Sequence, residues 1–507
     1  MEVSGILSHL HATLAVAPVS ILFKSKWRDK LTSRHKPENF KRWISQELLK
    51  VYAMPIPLVA EILDGGLSKI PYAWTVLKTV LWLALIYLLK TYFGGASNRS
   101  ERVMHSKVIM MTVRSSNIKL SHSNALITCV QGGTSGIGAA VARELASRGA
   151  QLVLLTQHAL TDPFLVEYIE DLREATNNQL ITAEQVDLSS LHSIRVFATK
   201  WVDNAPPRRL DMLILCANTM TPAGCKASST EDGLESNWGI NYMANFHLLS
   251  ILSPALRAQP PDRDVRIIFG MCASYMGGEL SRILPEAKAE PEKEKRSKGN
   301  KVKSNKEIAP EPIHFTPSSA YATSKLALLT FAQAFQKHLS SYLRPDKQPM
   351  NTRVIVVDPG WTRTPGMRRF LTFGSLWGLL LYLLMWPFWW LVLKSPEQGA
   401  QSFLYAAMEA RFGIGDGGVF VKECGEGKVV KVDVVGDEGL QKRLWENSEK
   451  TVERLEKEGA IRRAKERKEK ESEAAKKAAE QEGEAKGSGG AASKTPGSRR
   501  SKKAGAD

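Results

Sequence analysis

The chain has 507 residues, of which 43% are hydrophobic, so it is long and apolar enough to bury a sizeable core. Its formal net charge is +17, but much of the lysine and arginine lies in three low-complexity or flanking pieces, residues 24–50, 287–306 and 441–503. A basic rim beside apolar segments is typical of proteins that contact anionic lipid, so we expect a membrane or lipid-droplet partner and no nucleic acid.

The five cysteines are not spaced like a disulfide framework or a zinc site. Cys129 and Cys216 fall within apolar runs that read as strands. We therefore expect a reduced compartment and no metal ion.

The N-terminal region, residues 1–70, combines an apolar stretch with a basic one. Residues 6–23 are apolar but lack the positively charged start of a secretory signal. Residues 24–50 are basic and amphipathic, which suits a membrane surface. A solvated helix packed on the main domain explains residues 24–50 equally well.

The first strongly apolar segment is residues 72–93, within a membrane segment that we place at 71–94. Spanning a bilayer takes about 20 apolar residues. Lys78 and Lys90 lie near the ends of the segment, where their ammonium groups can reach the interface. Spanning, interfacial and hairpin placements all remain open.

The chain is organised around a glycine-rich turn. The apolar run Ala125 to Val130 predicts a buried parallel strand, and Ala139 to Arg148 predicts an amphipathic helix. Between them stands Gln131-Gly132-Gly133-Thr134-Ser135-Gly136-Ile137-Gly138. A strand-to-helix turn of this kind lets backbone N–H groups and a positive helix end meet a dinucleotide pyrophosphate.

Strand-like and helix-like segments alternate after this turn, which indicates an α/β fold with a doubly wound parallel sheet of about seven strands. The later predicted strands are Leu152–Thr156, Leu180–Val186, Leu210–Ala217, Val265–Met271, Arg353–Val357 and Val419–Lys422. The predicted helices between them are 162–175, 189–203, 230–258, 319–341 and 396–411.

Two insertions interrupt the alternation, and a tail follows it. Residues 279–316 are highly charged and predict a disordered surface loop. Residues 366–394 are an apolar insertion. Residues 437–507 begin as a charged helix former with Leu440, Leu444, Val452 and Leu455 on a partial stripe, and become disordered and basic from Gly487.

The apolar insertion carries no charge from Phe370 to Leu393, a length sufficient to span a bilayer. A single crossing would separate residues 396–422 from the rest of one continuous sheet, so the segment must enter and leave the same face. Pro387 breaks a helix and the tryptophans favour the headgroup level. We expect a monotopic anchor and lid, with an ordinary buried lid helix as the alternative.

Tyr321 and Lys325 form a Tyr-x-x-x-Lys pair that suits proton transfer. A carbonyl that receives hydride needs a proton on its oxygen, and a tyrosine hydroxyl can supply it. A lysine one helical turn away lies on the same face, where its charge stabilises the tyrosinate and lowers the tyrosine pKa.

The Gly-x-x-x-Gly-x-Gly spacing together with Tyr321 and Lys325 resembles the short-chain dehydrogenase/reductase family, and in particular its retinol-dehydrogenase-like, membrane-associated branch. The resemblance implies one catalytic domain at 120–425. It assigns Tyr321 and Lys325 to catalysis and implies that Asn241 kinks its helix and holds a water. It places Cys272 in the slot of the substrate-binding serine, although Ser274, two residues on, is the better donor and is favoured here.

The resemblance also implies a set of residues that bind a nicotinamide cofactor. They are Gly132, Thr134, Ser135, Gly136, Ile137, Gly138, Gln157, His158, Asp187, Leu188, Ala217, Asn218, Tyr321, Lys325, Pro359, Gly360, Thr362 and Thr364. Asn218 replaces the usual glycine of an Asn-Asn-Ala-Gly motif, and asparagine tolerates a positive φ better than most residues. Gln131 replaces the usual threonine.

Cofactor choice depends on the end of the second predicted strand. An acid there would bind the ribose 2′-OH and favour NAD(H), but the chain has Thr156, Gln157 and His158. The missing acid and the nearby His158 favour NADP(H), while NAD(H) stays possible.

Two hypotheses of function follow. The first is an oxidoreductase that interconverts a carbonyl and an alcohol on a lipophilic substrate. It would act on endoplasmic reticulum or lipid droplets with its catalytic unit facing the cytosol, either as a monomer or as a homodimer. The second is a catalytically weak cofactor-binding or scaffold protein on the same fold, which the substitutions at Cys272, Asn218 and Gln131 favour.

Overall fold

The computed structural model describes residues 72–112, 136–222, 224–281, 283–284 and 316–488. The glycines before Gly136, most of the charged insertion, residues 1–71 and residues 489–507 lie outside these ranges. The described chain divides into an N-terminal unit that ends at Tyr87 and a second unit that begins at Leu88.

Helix α1, Ala73–Gly94, corresponds to the predicted membrane segment. Within Trp74–Gly94 an 18-residue window has a mean hydropathy of 1.5 and contains no buried residue, so by length and composition this helix is able to cross a membrane. The apolar side chains of a helix in water normally pack against a core. An exposed apolar helix of this length is consistent with the predicted membrane segment.

A single eight-stranded sheet forms the centre of the second unit, in the order β3-β2-β1-β4-β5-β6-β7-β8. The first seven strands are parallel, and the short edge strand β8 runs antiparallel to β7. This arrangement confirms the predicted doubly wound fold. The strands are Val108–Thr112, Gln151–Thr156, Ile181–Gln185, Met212–Leu215, Val265–Gly270, Thr352–Asp358, Val419–Lys422 and Gly425–Glu426.

Helices cover both faces of this sheet, mostly where the sequence placed them. Helices α2 to α7 are Ile137–Ser147, Pro163–Thr176, Leu191–Val202, Ser236–Trp238, Ala244–Arg257 and Pro317–Ser340. Helices α8 to α13 are Pro365–Thr372, Leu376–Leu384, Trp386–Val392, Pro396–Met408, Val432–Gly436 and Glu438–Ser488. A π-helical turn, Gly239–Met243, joins α5 to α6.

The first strand is not where the sequence analysis put it. The predicted strand at 125–130 lies outside the described residues, and β1, Val108–Thr112, occupies the central position between β2 and β4. The prediction located this strand by its adjacency to the glycine turn. In the sequence, residues 113–135 separate β1 from Gly136, so the assumption that the central strand directly precedes the glycine turn was wrong.

Alternate side chains of β1 enter two separate cores, which explains its continuous apolar sequence. Val108 and Met110 join the larger core cluster, whereas Ile109 and Met111 join the smaller one on the opposite face. Because neither face meets water, polar groups can reach solvent only where the strands end.

The apolar insertion contains three short helices, α8, α9 and α10, instead of one spanning helix. Helices α9 and α10 have nine and seven residues, and Pro387 lies in the first turn of α10. Strand β7, which follows the insertion, pairs with β6, so both ends of the insertion belong to one continuous sheet as the sequence argument required; the monotopic dip into a membrane stays a prediction.

The first half of the C-terminal helix α13 packs against the main domain. Leu444, Val452 and Leu455 belong to the larger core cluster. The Tyr242 hydroxyl and the Ser448 hydroxyl are 2.7 Å apart in the same interface. The predicted apolar stripe is therefore a packing surface of the catalytic unit, although the sequence analysis set this helix apart from that domain.

Truncating Leu444 should destabilise the whole catalytic unit. Leu444 is 1% exposed, and a buried Leu→Ala change costs about 3 kcal/mol of unfolding free energy. Ile461→Ala on the same helix is the matched control, since Ile461 is 71% exposed. Thermal unfolding should show a clearly lower Tm for L444A alone; equal Tm values for the two variants would contradict this packing.

Candidate active site

The carboxyl ends of β1, β4, β5 and β6 open onto one cavity of about 1130 Å³. The strand order reverses between β1 and β4, which is where ligands of doubly wound sheets bind. The cavity brings together most of the predicted site residues. They are Gly136, Ile137, Gly138, Ala217, Asn218, Cys272, Ser274, Tyr321, Lys325, Pro359, Gly360, Thr362 and Thr364.

Tyr321 and Lys325 lie one turn apart on α7, and both are buried. The Lys325 ammonium donates to the backbone carbonyl of Gly270 at 3.0 Å, at the end of β5. Its Nζ is 5.9 Å from the centre of the Tyr321 ring. The end of β5 thus holds the lysine beside the tyrosine, as the motif predicts.

The Tyr321 hydroxyl has three hydrogen-bonding neighbours in the site, Asn218, Cys272 and Ser274. The Asn218 side-chain amide donates to it at 2.8 Å, and the Cys272 sulfur lies 3.2 Å away. The Ser274 hydroxyl is in turn 2.8 Å from the Cys272 sulfur. Tyr321, Cys272 and Ser274 therefore form one hydrogen-bonded group, and Asn218 joins it from the loop after β4.

The position of Ser274 differs from the reasoning that favoured it. That reasoning extended strand β5 past residue 272, but β5 ends at Gly270 and a 3-10 helix, Ala273–Gly277, follows. Ser274 still lines the cavity and hydrogen-bonds the tyrosine, and Cys272 contacts the same hydroxyl.

The protein's own groups set the protonation of this pair. Burial raises the pKa of Tyr321 well above its usual value, and the nearby Cys272 adds to that rise. Burial also lowers the pKa of Lys325. The net shift is upward because desolvation outweighs the hydrogen bonds from Asn218 and Ser274 that lower this pKa; a lowering by Lys325 stays a prediction. Tyr321 is thus a protonated donor at neutral pH.

Asn241 lies in the π-helical turn, in agreement with the kink that the resemblance implies. It is fully buried and does not line the cavity. Its carboxamide accepts from the Thr219 N–H at 2.7 Å and donates to the Thr219 carbonyl at 2.9 Å. It also donates to the Ser324 hydroxyl at 3.2 Å. Asn241 thereby fixes the loop that presents the adjacent Asn218 to Tyr321.

The described part of the glycine turn begins at Gly136, which has a φ of 84° and directly precedes α2. Such a φ suits glycine, and no side chain caps this helix start. A Cβ on Gly138 would lie 3.1 Å from the Cys216 sulfur, so α2 packs closely on the end of β4. Gly132, Thr134 and Ser135 lie outside the described residues.

The loop after β6 completes the floor of the cavity. Gly360 has a φ of 75°, and its carbonyl accepts from the Thr362 hydroxyl at 3.1 Å. The Thr364 hydroxyl accepts from the Met367 N–H at 3.3 Å and so caps α8. Pro359, Gly360 and both threonines line the cavity as predicted.

Four residues predicted to bind the cofactor do not line this cavity and lie at or just after the ends of β2 and β3. The Gln157 amide donates to the Asp187 carboxylate at 2.9 Å, and the His158 ring nitrogen lies 2.7 Å from the Asp162 carboxylate. Asp187 also accepts from Ser189. Leu188 packs against the larger core. Two carboxylates thus stand beside the residues expected to favour a 2′-phosphate.

Sequence reasoning missed several cavity residues. Thr112 was missed because β1 was placed elsewhere, while Asp358 ends β6 and directly precedes the predicted Pro359. Burial raises the pKa of Asp358. The contact of Asn218 with Tyr321 was also missed, since it joins residues that are far apart in the chain. The one sequence signal that could have identified Asp358 is its position at the carboxyl end of a predicted strand.

Comparison with known proteins agrees with this geometry. Residues 126–269 match the family described as short chain dehydrogenase. The chain is 36% identical over 406 residues to the uncharacterized oxidoreductase pbr1 of Schizosaccharomyces pombe, covering 80% of this chain and 97% of that protein. It is 27% identical over 366 residues to retinol dehydrogenase 13 of Homo sapiens (72% of this chain, 90% of that protein).

A third relative is polyprenol dehydrogenase of Homo sapiens, which is 27% identical over 323 residues, covering 64% of this chain and 83% of that protein. Family match, sheet order and the Tyr321–Lys325 pair all agree. The chain is therefore an oxidoreductase of the short-chain dehydrogenase/reductase family, in its retinol-dehydrogenase-like branch.

Proposed function

We propose that the protein is a membrane-associated oxidoreductase that interconverts a carbonyl and an alcohol on a lipophilic substrate, with NADP(H) as its favoured cofactor. The observation that carries this proposal is the Tyr321 hydroxyl, held by Asn218 and facing a cavity whose outer wall is apolar. That wall includes Phe370, Leu371, Phe388, Trp389 and Val392. A wall of this kind suits a retinoid-, steroid- or polyprenoid-like chain.

The residues of the cavity fit a nicotinamide dinucleotide. Gly136 leaves a backbone surface without a side chain at the start of α2, where the helix end favours phosphate, and Gly138 lets that helix pack closely on the end of β4. Pro359 and Thr364 would hold the nicotinamide end on the opposite side, next to Tyr321. The cofactor supplies the hydride; the chain supplies position and the proton.

Tyr321 moves the proton in this mechanism. In reduction, its hydroxyl donates to the substrate oxygen, and the raised pKa keeps that proton available at neutral pH. The Asn218 amide then stabilises the tyrosinate oxygen, to which it already donates. Asn241 acts one step further back, since it fixes the backbone of Thr219.

The preference for NADP(H) depends on few contacts. No acid follows β2 directly, as noted from the sequence, but the carboxylates of Asp162 and Asp187 stand beside His158 and Gln157. Both would repel a 2′-phosphate and reduce the preference. NAD(H) is therefore the alternative that any assay should include.

Two exposed apolar elements support membrane association. Helix α1 has the length and composition of a spanning segment. Helices α9 and α10 expose large apolar side chains, among them Trp377 and Leu384. We infer docking on endoplasmic reticulum or lipid droplets, with the catalytic unit on the cytosolic side and the cavity open towards lipid.

Replacing Tyr321 by phenylalanine tests the function directly. Y321F should abolish reduction of a lipid aldehyde such as retinal while NADPH binding stays nearly intact, because the glycines and backbone hold the cofactor. Tyr342→Phe is the matched control, since Tyr342 lies outside the cavity. NADPH and NADH should be compared in the same assay. Equal turnover by Y321F and the wild type would refute the role of Tyr321.

Removing the Asn218 amide should shift the pH dependence of alcohol oxidation. Oxidation needs Tyr321 as a proton acceptor, and the Asn218 hydrogen bond lowers the pKa of Tyr321 against the effect of burial. In N218A that pKa rises further, so the ascending limb of the rate moves to higher pH and the rate at pH 8 falls about tenfold.

Asn218→Gly is the second variant, because it removes the amide yet restores the residue expected at this turn. Both variants should shift the pH profile by a similar amount. A shift in N218A alone would assign the change to the alanine methyl group instead of the lost amide, since Asn218 does not have a positive φ. An unchanged profile in both variants would remove Asn218 from the mechanism.

Ser274 and Cys272 are separated by single substitutions. We expect Ser274→Ala to lower kcat by more than about tenfold, because a hydroxyl is a strong donor to the substrate oxygen. Cys272→Ala should have a weaker effect, since a thiol is a poor donor. Cys225→Ala, at an exposed cysteine, controls for thiol loss. The reverse ranking would transfer the role to Cys272.

A further inference from the structure

The apolar insertion α9–α10 is unusual because it exposes its side chains next to a group of positive charges. Trp377 is 80% exposed and Leu384 is 77% exposed. Neither helix approaches the length of about 20 residues that spanning requires. This insertion therefore offers an apolar surface that can enter one leaflet only.

Three arginines stand at the base of this surface. Arg363 lies just before α8, and its guanidinium carbon is 4.9 Å from the centre of the Trp386 ring in α10. Arg368 and Arg369 are in α8, and Arg369 lines the mouth of the cavity. We call Arg363, Arg368 and Arg369 the arginine collar.

Lys90 adds a fourth positive charge and fixes the insertion. Its ammonium donates to the backbone carbonyls of Trp390 at 2.6 Å and Leu393 at 3.3 Å, at the C-terminal end of α10. It also lies 5.0 Å from the centre of the Trp390 ring. Lys90 is thus a positioning residue for the helix that carries the aromatic side chains.

The collar has no acidic partner among residues 72–112, 136–222, 224–281, 283–284 and 316–488. The ion pairs within that part of the chain involve other residues, and the Nη1 of Arg363 is buried without a hydrogen-bond partner there. Burial, and then the charge of Arg368, lowers the pKa of Arg369. The mutual repulsion of these positive charges would be reduced by a bound anion.

We propose that the arginine collar binds the phosphate groups of anionic phospholipids and so docks the mouth of the cavity onto an anionic membrane surface. This inference rests on the proposed membrane association and adds lipid selectivity to it. Arginine suits this role because its planar guanidinium binds phosphate oxygens in pairs. The exposed apolar side chains and the neighbouring tryptophans favour a lipid over a soluble phosphate.

The test is a binding titration of the full-length protein in a nonionic detergent, followed by tryptophan emission. The probes are dihexanoyl phosphatidylglycerol, dihexanoyl phosphatidylcholine and inorganic phosphate. We expect the anionic lipid to bind on the order of a hundredfold more tightly than the zwitterionic one, because three cations act on its charge. Added salt should reduce that ratio.

The variant R363Q/R368Q/R369Q should lose the preference for the anionic lipid. The control R443Q/K450Q/K468Q removes the same charge from helix α13 and should keep it. Equal binding of both lipids by the wild type, or a preference retained in the collar variant, would overturn the proposal. Displacement of the lipid by equimolar inorganic phosphate would also overturn it, because the collar would then recognise free phosphate.

Failure of the proposed function would look different. Retinal reduction by the wild type and by Y321F is measured on the same preparations. If the wild type turns over retinal but does not distinguish the two lipids, only the proposed lipid binding by the arginine collar is rejected. If it distinguishes the lipids but does not turn over retinal, lipid binding by the collar is supported and the proposed reaction is rejected.

Discussion

The burial of one parallel sheet on both faces constrains everything else in this molecule. Val108 and Met110 enter one core while Ile109 and Met111 enter the other, so β1 has no polar face. Polar side chains and free backbone groups are therefore available mainly where the strands stop. The cavity forms at these carboxyl ends, beside the point where the strand order reverses. Chemistry is concentrated there because the rest of the sheet excludes water.

A chain of hydrogen bonds connects the π-helical turn to the Tyr321 hydroxyl. Asn241 lies in the π-helical turn and faces the loop after β4, where its side chain hydrogen-bonds both the N–H and the carbonyl of Thr219. The next residue back, Asn218, then donates to Tyr321. A buried tyrosine without donors would resist giving up its proton, since desolvation disfavours the tyrosinate. The Asn218 amide opposes that effect at the oxygen itself.

The apolar insertion connects this site to the environment from which we expect its substrate to come. Its aromatic residues line the outer cavity wall, while its outer face is exposed. Both features arise from one segment between β6 and β7, whose ends must return to the same sheet. Under the proposed membrane docking, the same helices would serve both substrate entry and membrane contact.

The sequence by itself determined the parallel sheet, the Tyr321–Lys325 pair and the loop after β6, because each depends on local periodicity or short spacing. It also predicted the break in the apolar insertion, which Pro387 brings about. These features need no knowledge of distant contacts.

Only the tertiary structure decided which strand is central and which side chains meet at the hydroxyl. Val108–Thr112 took the place expected of residues 125–130, since strand pairing does not require adjacency to the glycine turn. Asn218 and Tyr321 are 103 positions apart, so no local pattern links them. The rise in the Tyr321 pKa likewise follows from burial, and burial is a property of the assembled fold.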